Sequence, residues 1–132
     1  MSMSAVHRTL YKFWSGFGVD SFLSGHVPDG AQFPYITFEI GNGDALTSGY
    51  LTAFDWHRHD GTGRNINAER AELMDAIGEA IPPEGVLLEL PGDAGFLMLE
   101  RNDSGFQQYY DDPEDKAVIG GRTSYRVSYY TI

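Results

Sequence analysis

Apolar residues first recur at a helical spacing. Val6, Leu10, Phe13, Trp14 and Phe17 are separated by four, three, one and three positions, which places them on one wide stripe of an amphipathic helix. Ser4 is suited to cap its start, and Gly16 and Gly18 to end it. A helix over residues 4–17 is therefore predicted. The period changes at Tyr35. Ile36, Phe38 and Ile40 alternate with Tyr35, Thr37 and Glu39, the pattern of a half-buried strand over 35–41. Phe33-Pro34 leads into it extended, because the residue before a proline is pushed out of the α region. Just upstream, Pro28-Asp29-Gly30 is a turn: Pro28 fixes φ, Asp29 can bond its own backbone, and Gly30 accepts positive φ.

Asn42-Gly-Asp44 is a hairpin signal, and alternation resumes over 48–59. Tyr50, Thr52, Phe54, Trp56 and Arg58 face one way; Leu51, Ala53, Asp55, His57 and His59 face the other. Both strands are long enough to project beyond a small sheet. Asp60-Gly-Thr-Gly63 breaks the pattern. A second helix follows over 65–80, with Ile66, Leu73, Met74, Ile77 and Ile81 near one stripe and Glu69, Arg70, Glu72, Asp75 and Glu79 over the remainder. Pro82-Pro83 stops it. The last third reads as strands: a hairpin of 86–90 and 96–100 around a Pro-Gly-Asp-Ala-Gly turn, a short strand at 106–110, a solvated loop at 111–116, and a closing strand over 122–132.

Strands joined by short turns favour antiparallel pairing, and two helices with one apolar face each can cover one side of a sheet. The expected fold is α+β: a mostly antiparallel sheet of four or more strands with two helices packed on one face. Phe13, Trp14, Ile36, Phe38, Leu73 and Ile77 are its expected core. There is no internal repeat and no low-complexity segment. At 132 residues the chain fits a single domain over 1–132, large enough to bury roughly two-thirds of its unfolded surface.

Charge and composition then narrow the function. Nineteen acidic residues face nine basic ones, a formal charge of −10. That opposes a grip on nucleic acid, which needs Lys and Arg at the phosphates, and opposes an anionic membrane surface. It leaves room for a surface past which DNA slides without sticking. With no cysteine, a thiol nucleophile, a disulfide scaffold and a cysteine zinc site are excluded. No basic-then-apolar leader and no membrane-length apolar run is visible, so a soluble protein is expected.

The order helix, Val27-Pro28-Asp29, then Phe33-Pro34-Tyr35-Ile36-Thr37-Phe38, then a second strand, resembles the tail-terminator or tail-completion proteins of tailed bacteriophages and prophages, often described as minor capsid or minor structural proteins. The likeness runs from the first helix to the terminal strand. It implies an α+β domain with helices on a sheet. It also implies a homo-oligomeric ring, usually a hexamer, at the head-proximal end of the tail. Such a ring stops tail-tube growth and offers a surface to the head connector. The expected partners are the tube protein and the connector. No cofactor, no sequence-specific nucleic-acid binding and no membrane are implied. The location is the virion, with assembly in the host cytoplasm. Another head–tail joining or minor capsid component is the alternative within that class.

One segment looks chemical. Asp55, His57 and His59 share a strand face, so two imidazoles and a carboxylate could converge on a metal. That raises a rival reading, a small metal-dependent enzyme built on His57/His59. Asp60 follows His59 at once and no later histidine completes a ligand set. The pair is expected at the exposed, polar end of a long strand, with no metal and no catalytic role. The acidic run Asp111-Asp112-Pro113-Glu114-Asp115 lacks the spacing and glycine of a calcium loop and reads as a solvated turn, or as a partner contact if the ring forms. Gly61-Thr-Gly63-Arg64 opens a helix without the residues of a phosphate loop. His7 and His26 have no nucleophile and acid beside them in sequence. Tyr109-Tyr110 and Tyr125 to Tyr130 put aromatics on both faces of the last strands, and tyrosine and arginine favour interfaces.

Overall fold

A computed structural model of the chain describes residues 3–44, 48–103 and 105–130. The elements run in the order α1 (Met3–Ser15), β1 (Asp20–Leu23), β2 (Tyr35–Asp44), β3 (Ser48–Arg58), α2 (Ile66–Ala80), β4 (Val86–Glu89), a single 3-10 turn (Pro91–Asp93), β5 (Phe96–Arg101), β6 (Gln107–Asp111) and β7 (Val118–Tyr130). Both helices lie against one face of a seven-stranded sheet. Val6, Leu10 and Trp14 of α1 and Leu73 and Ile77 of α2 are buried there against Ile36, Phe38, Leu51, Ala53, Leu97, Leu99, Tyr125 and Val127. Of the expected core, Phe13 alone stays half-buried, packed edge-on to Trp14 and Phe17.

The sheet is mixed, which corrects the expectation of a mostly antiparallel one. β1 pairs in parallel with β2, Asp20 opposite Tyr35 through Leu23 opposite Phe38. Parallel neighbours need a crossover rather than a tight hairpin, and residues 24–34 supply it. The Pro28-Asp29-Gly30 turn lies within that crossover, which ends in a cis Phe33–Pro34 peptide. β1 escapes pattern reading because four residues between Gly18 and Gly25, both at positive φ, carry too short an alternation.

The strand order is β1-β2-β3-β7-β5-β4, with β6 also on β7. β7 makes this possible by its length. It pairs along one edge with all of β3, Ser48 opposite Ser128 through Arg58 opposite Val118. Its other edge is shared end to end: β6 takes 119–123 and β5 takes 125–130. β3 is thus paired on both sides from Ser48 to Trp56, by β2 and β7, while His57 and Arg58 pair with β7 alone. β2 runs through Asn42 and Gly43 with a register shift before Asp44, so the Asn-Gly dipeptide is strand. Residues 45–47 lie outside the described residues.

β7 starts four residues earlier than the pattern indicates. Gly120 and Gly121 weaken any strand reading, yet each stands where a neighbour comes close. A Cβ on Gly120 would meet Asp55 backbone and the Trp56 ring; one on Gly121 would collide with the Met74 sulfur and Asp55 Oδ1. Glycine there lets α2 approach the sheet. α2 begins at Asn65, whose side chain accepts the Ala68 N–H at 3.1 Å, a normal N-cap. It ends at Ala80, ahead of Pro82-Pro83, with the N–H of the C-cap Ile81 still donating to Ile77 O.

Candidate functional site

The residues singled out as chemical lie in places the pattern does not show. Asp55 and His57 point to the helix-covered face of β3 and are 2% and 0% exposed. The expectation that the pair sits at an exposed strand end is corrected. Only His59, past the end of β3, is exposed; its backbone N–H donates to Ala117 O.

His57 is held between two carboxylates. Nε2 lies 2.5 Å from Asp55 Oδ2 and Nδ1 lies 2.7 Å from Glu69 Oε1. Glu69 comes from the first turn of α2, where a carboxylate also suits the helix dipole. Its other oxygen lies 3.2 Å from Arg64 Nε. Burial pushes the imidazole toward its neutral form, but its hydrogen bonds to the acceptor carboxylates of Asp55 and Glu69 outweigh that and hold its pKa above the ordinary range. Burial likewise pushes the Asp55 carboxyl up, only partly offset by His57 and by the charge of Arg70. Asp55 Oδ1 is buried with no hydrogen-bond partner.

Arg70, the next residue after Glu69, is also buried. It donates to Gly120 O at 3.2 Å and Asp111 Oδ1 at 3.3 Å, and lies 3.9 Å above the Tyr109 ring. The cluster therefore clamps the start of α2 to β3, β6 and β7. The imidazole stands between its carboxylates rather than beside them, so the three do not converge on a point. Among the described residues no group of three His, Asp or Glu side chains is arranged to hold a metal. A fully enclosed ring also offers a substrate no approach.

The remaining candidates have local duties. Asp60 Oδ1 accepts from the Thr62 N–H and hydroxyl, which lowers its carboxyl pKa and shapes the Gly61–Gly63 loop. Asp112 Oδ1 accepts from the Glu114 and Asp115 N–H groups. Asp115 pairs with Arg58 at 2.5 Å and caps the Ala117 N–H. His7 lies half-buried on α1, and His26 is exposed in the crossover.

The opposite sheet face is covered by neither helix. Phe54 and Trp56 stack there at 5.4 Å and 15°, and Tyr110 meets both edge-on at 5.3 and 5.6 Å. Tyr50, Tyr130 and Tyr110 are exposed, and Arg122 and Arg126 stand among them on β7. Arg126 lies 3.5 Å from Glu100 and from Asp103. A cleft at one end lies between Phe33, Tyr35, Trp56 and Asp112, where Trp56 Nε1 donates to Thr37 Oγ1 at 2.9 Å. The tyrosines thus divide by face: Tyr125 and Tyr129 are core, while Tyr110 and Tyr130 are surface.

No family model and no curated protein matches the sequence. A solved structure of a protein whose name states no function resembles the fold, with a TM-score of 0.60 at 11% identity, over 100% of this chain and 98% of that one. That likeness concerns the fold alone. Among the described residues no helix is long and apolar enough to cross a membrane.

Proposed function

We propose that the protein is a tail terminator, or tail-completion protein, of a tailed phage or prophage. It acts as a homo-oligomeric ring that caps the tail tube and meets the head connector. The observation that carries this reading is the open sheet face. A sheet buried on one side by two helices presents aromatic rings and arginines on the other, the composition of a protein interface core. The resemblance of Val27-Pro28-Asp29 and of Phe33 to Phe38 to that family supports the same role. Those residues form the crossover and the start of β2, at the edge of this face.

The chemistry is that of assembly. The Asp55–His57–Glu69 cluster fastens α2 to the sheet and keeps the His57 imidazole enclosed. A charge of −10 suits a ring whose opening lets DNA pass without binding it. The test is tube growth. Cognate tube protein polymerised with increasing amounts of the purified chain should give tubes whose length is limited by the amount added. Tube lengths independent of the chain would refute the proposal.

A further inference from the structure

We propose that the open sheet face of one copy seats the outer ridge of α2 of a second copy, head to tail. This rests on the ring reading above and assigns the surfaces that would build it. Three observations carry it.

The first is an unpaired cation in an aromatic setting. Arg122 is exposed on β7, across from Phe54 on one side and Gln108 on the other. Among the described residues no carboxylate lies within ion-pair distance of it. The chain has only nine basic residues, and those of the second helix and its approach, Arg64 and Arg70, are paired. A guanidinium beside stacked rings is a strong anchor for a partner's carboxylate.

The second is the complementary ridge. Glu72, Asp75 and Glu79 are exposed along α2 at spacings of three and four, hence on one side of the helix. None of them has an ion-pair partner among the described residues. Ala68 and Ala76 are exposed on the same side, and their short side chains let the helix come close to a flat surface. The other helix does not offer this match, because the exposed charges of α1 are Arg8 and Lys12.

The third is placement. The ridge belongs to the helix layer and Arg122 to the opposite sheet face. Sheet against sheet meets a face of mixed charge, on which Glu39 and Glu89 are exposed beside Arg122 and the already paired Arg126, and α2 against α2 sets acids among acids. Sheet against α2 matches opposite charges. Such a contact is heterologous, and repetition closes it into a ring when the rotation allows.

Arg122→Glu makes the sheet face acidic, and Glu72→Arg/Asp75→Arg makes the ridge basic. Each variant alone opposes like charges, whereas an equimolar mixture restores opposite charges at every contact. All these sites are exposed, so far-UV CD spectra should match the parent. Sedimentation of the purified chain, without tube protein, is the measurement. The parent should self-associate beyond a dimer. Each variant should associate at least roughly tenfold more weakly, and the mixture should recover the parent's behaviour. Lys12→Glu, with the same change in net charge as Arg122→Glu, should behave like the parent. A parent that stays monomeric, a symmetric dimer that goes no further, or a mixture no better than its components would overturn the inference. A ring that forms this way yet leaves tube length unchanged would sink the terminator reading and leave this contact standing.

Discussion

Replacing His57 by alanine should cost far more than its single position suggests. The ring is wholly buried and its two nitrogens hold Asp55 and Glu69. Glu69 retains Arg64; Asp55, with one oxygen already unpartnered, is left as a buried carboxylate with no hydrogen-bonded counter-charge and only the charge of Arg70 to offset it. Such losses cost about 3–5 kcal/mol. The chain can escape by folding with Asp55 protonated. From an ordinary carboxyl pKa of about 3.9, that costs about 1.4 kcal/mol per pH unit, or about 4 kcal/mol at pH 7. The expected loss is therefore about 3–4 kcal/mol at pH 7, set by whichever route is cheaper. Because the variant takes up a proton on folding, its own stability should rise as pH falls from 7 to 5, by about 1.4 kcal/mol per unit. Urea unfolding followed by tryptophan fluorescence measures both. Asp55→Asn in the same background should remove that slope, since an amide needs no counter-charge. His59→Ala, at an exposed site, should stay within about 0.5 kcal/mol of the parent. A His57→Ala loss below about 1 kcal/mol at pH 7, or a pH slope that survives Asp55→Asn, would refute the clamp.

Other consequences are simpler to measure. His57 has a raised folded-state pKa, so its contribution is complete below about pH 6.5 and is lost as pH climbs through the folded value. Asp55 is raised too, so its contribution is present below about pH 3.9 and fades as pH rises through its own folded value. The parent should then lose stability above about pH 6.5, and His57→Gln should flatten that loss; equal profiles would contradict it. Gly121→Ala should destabilise by about 1–3 kcal/mol through overpacking, because its methyl meets Met74 and Asp55; an unchanged urea midpoint would show that α2 can retreat freely. Asn65→Ala should cost about 1 kcal/mol by removing the α2 cap, with Asn65→Gly costing less in the same melt.

How far the chain reveals itself depends on the range of the forces involved. The stripe of Val6, Leu10 and Trp14, the alternation of Ile36 and Phe38 on β2 and that of Leu51 and Ala53 on β3 are local, and these residues are buried where that spacing puts them; Ile40, at the end of the β2 alternation, is half-buried. The hairpin of β4 and β5 forms across the turn its residues encode, Val86 opposite Leu99. β1 is different. Its four residues become a strand only because residues 24–34 return the chain beside them in parallel, and that partner is distant in sequence. Asp55 and His57 mislead for the same reason. Polar types on a strand normally mark the wet face, and their burial depends on Glu69 arriving from α2 and on Gly121 arriving from β7. Arg70 reads as part of a polar helix side, yet it is buried beneath Gly120 O and the Tyr109 ring. A charged residue's address is set by its partner, and pairing between elements leaves no periodic trace. Spacing puts Glu72, Asp75 and Glu79 on the polar side of α2 together with Glu69 and Arg70; that these three form the exposed ridge, and that the sheet face opposite is open, follows only from knowing where both helices pack.

A tail terminator is distinguished by where on the tube it binds. The chain, labelled at an exposed α1 position such as Lys12, can be added to preformed cognate tubes and imaged by electron microscopy. A terminator places label at one end of each tube, in discrete ring-shaped caps, with no further growth from that end. Label spread along tube walls, at neither end, or at ends that continue to elongate would contradict it.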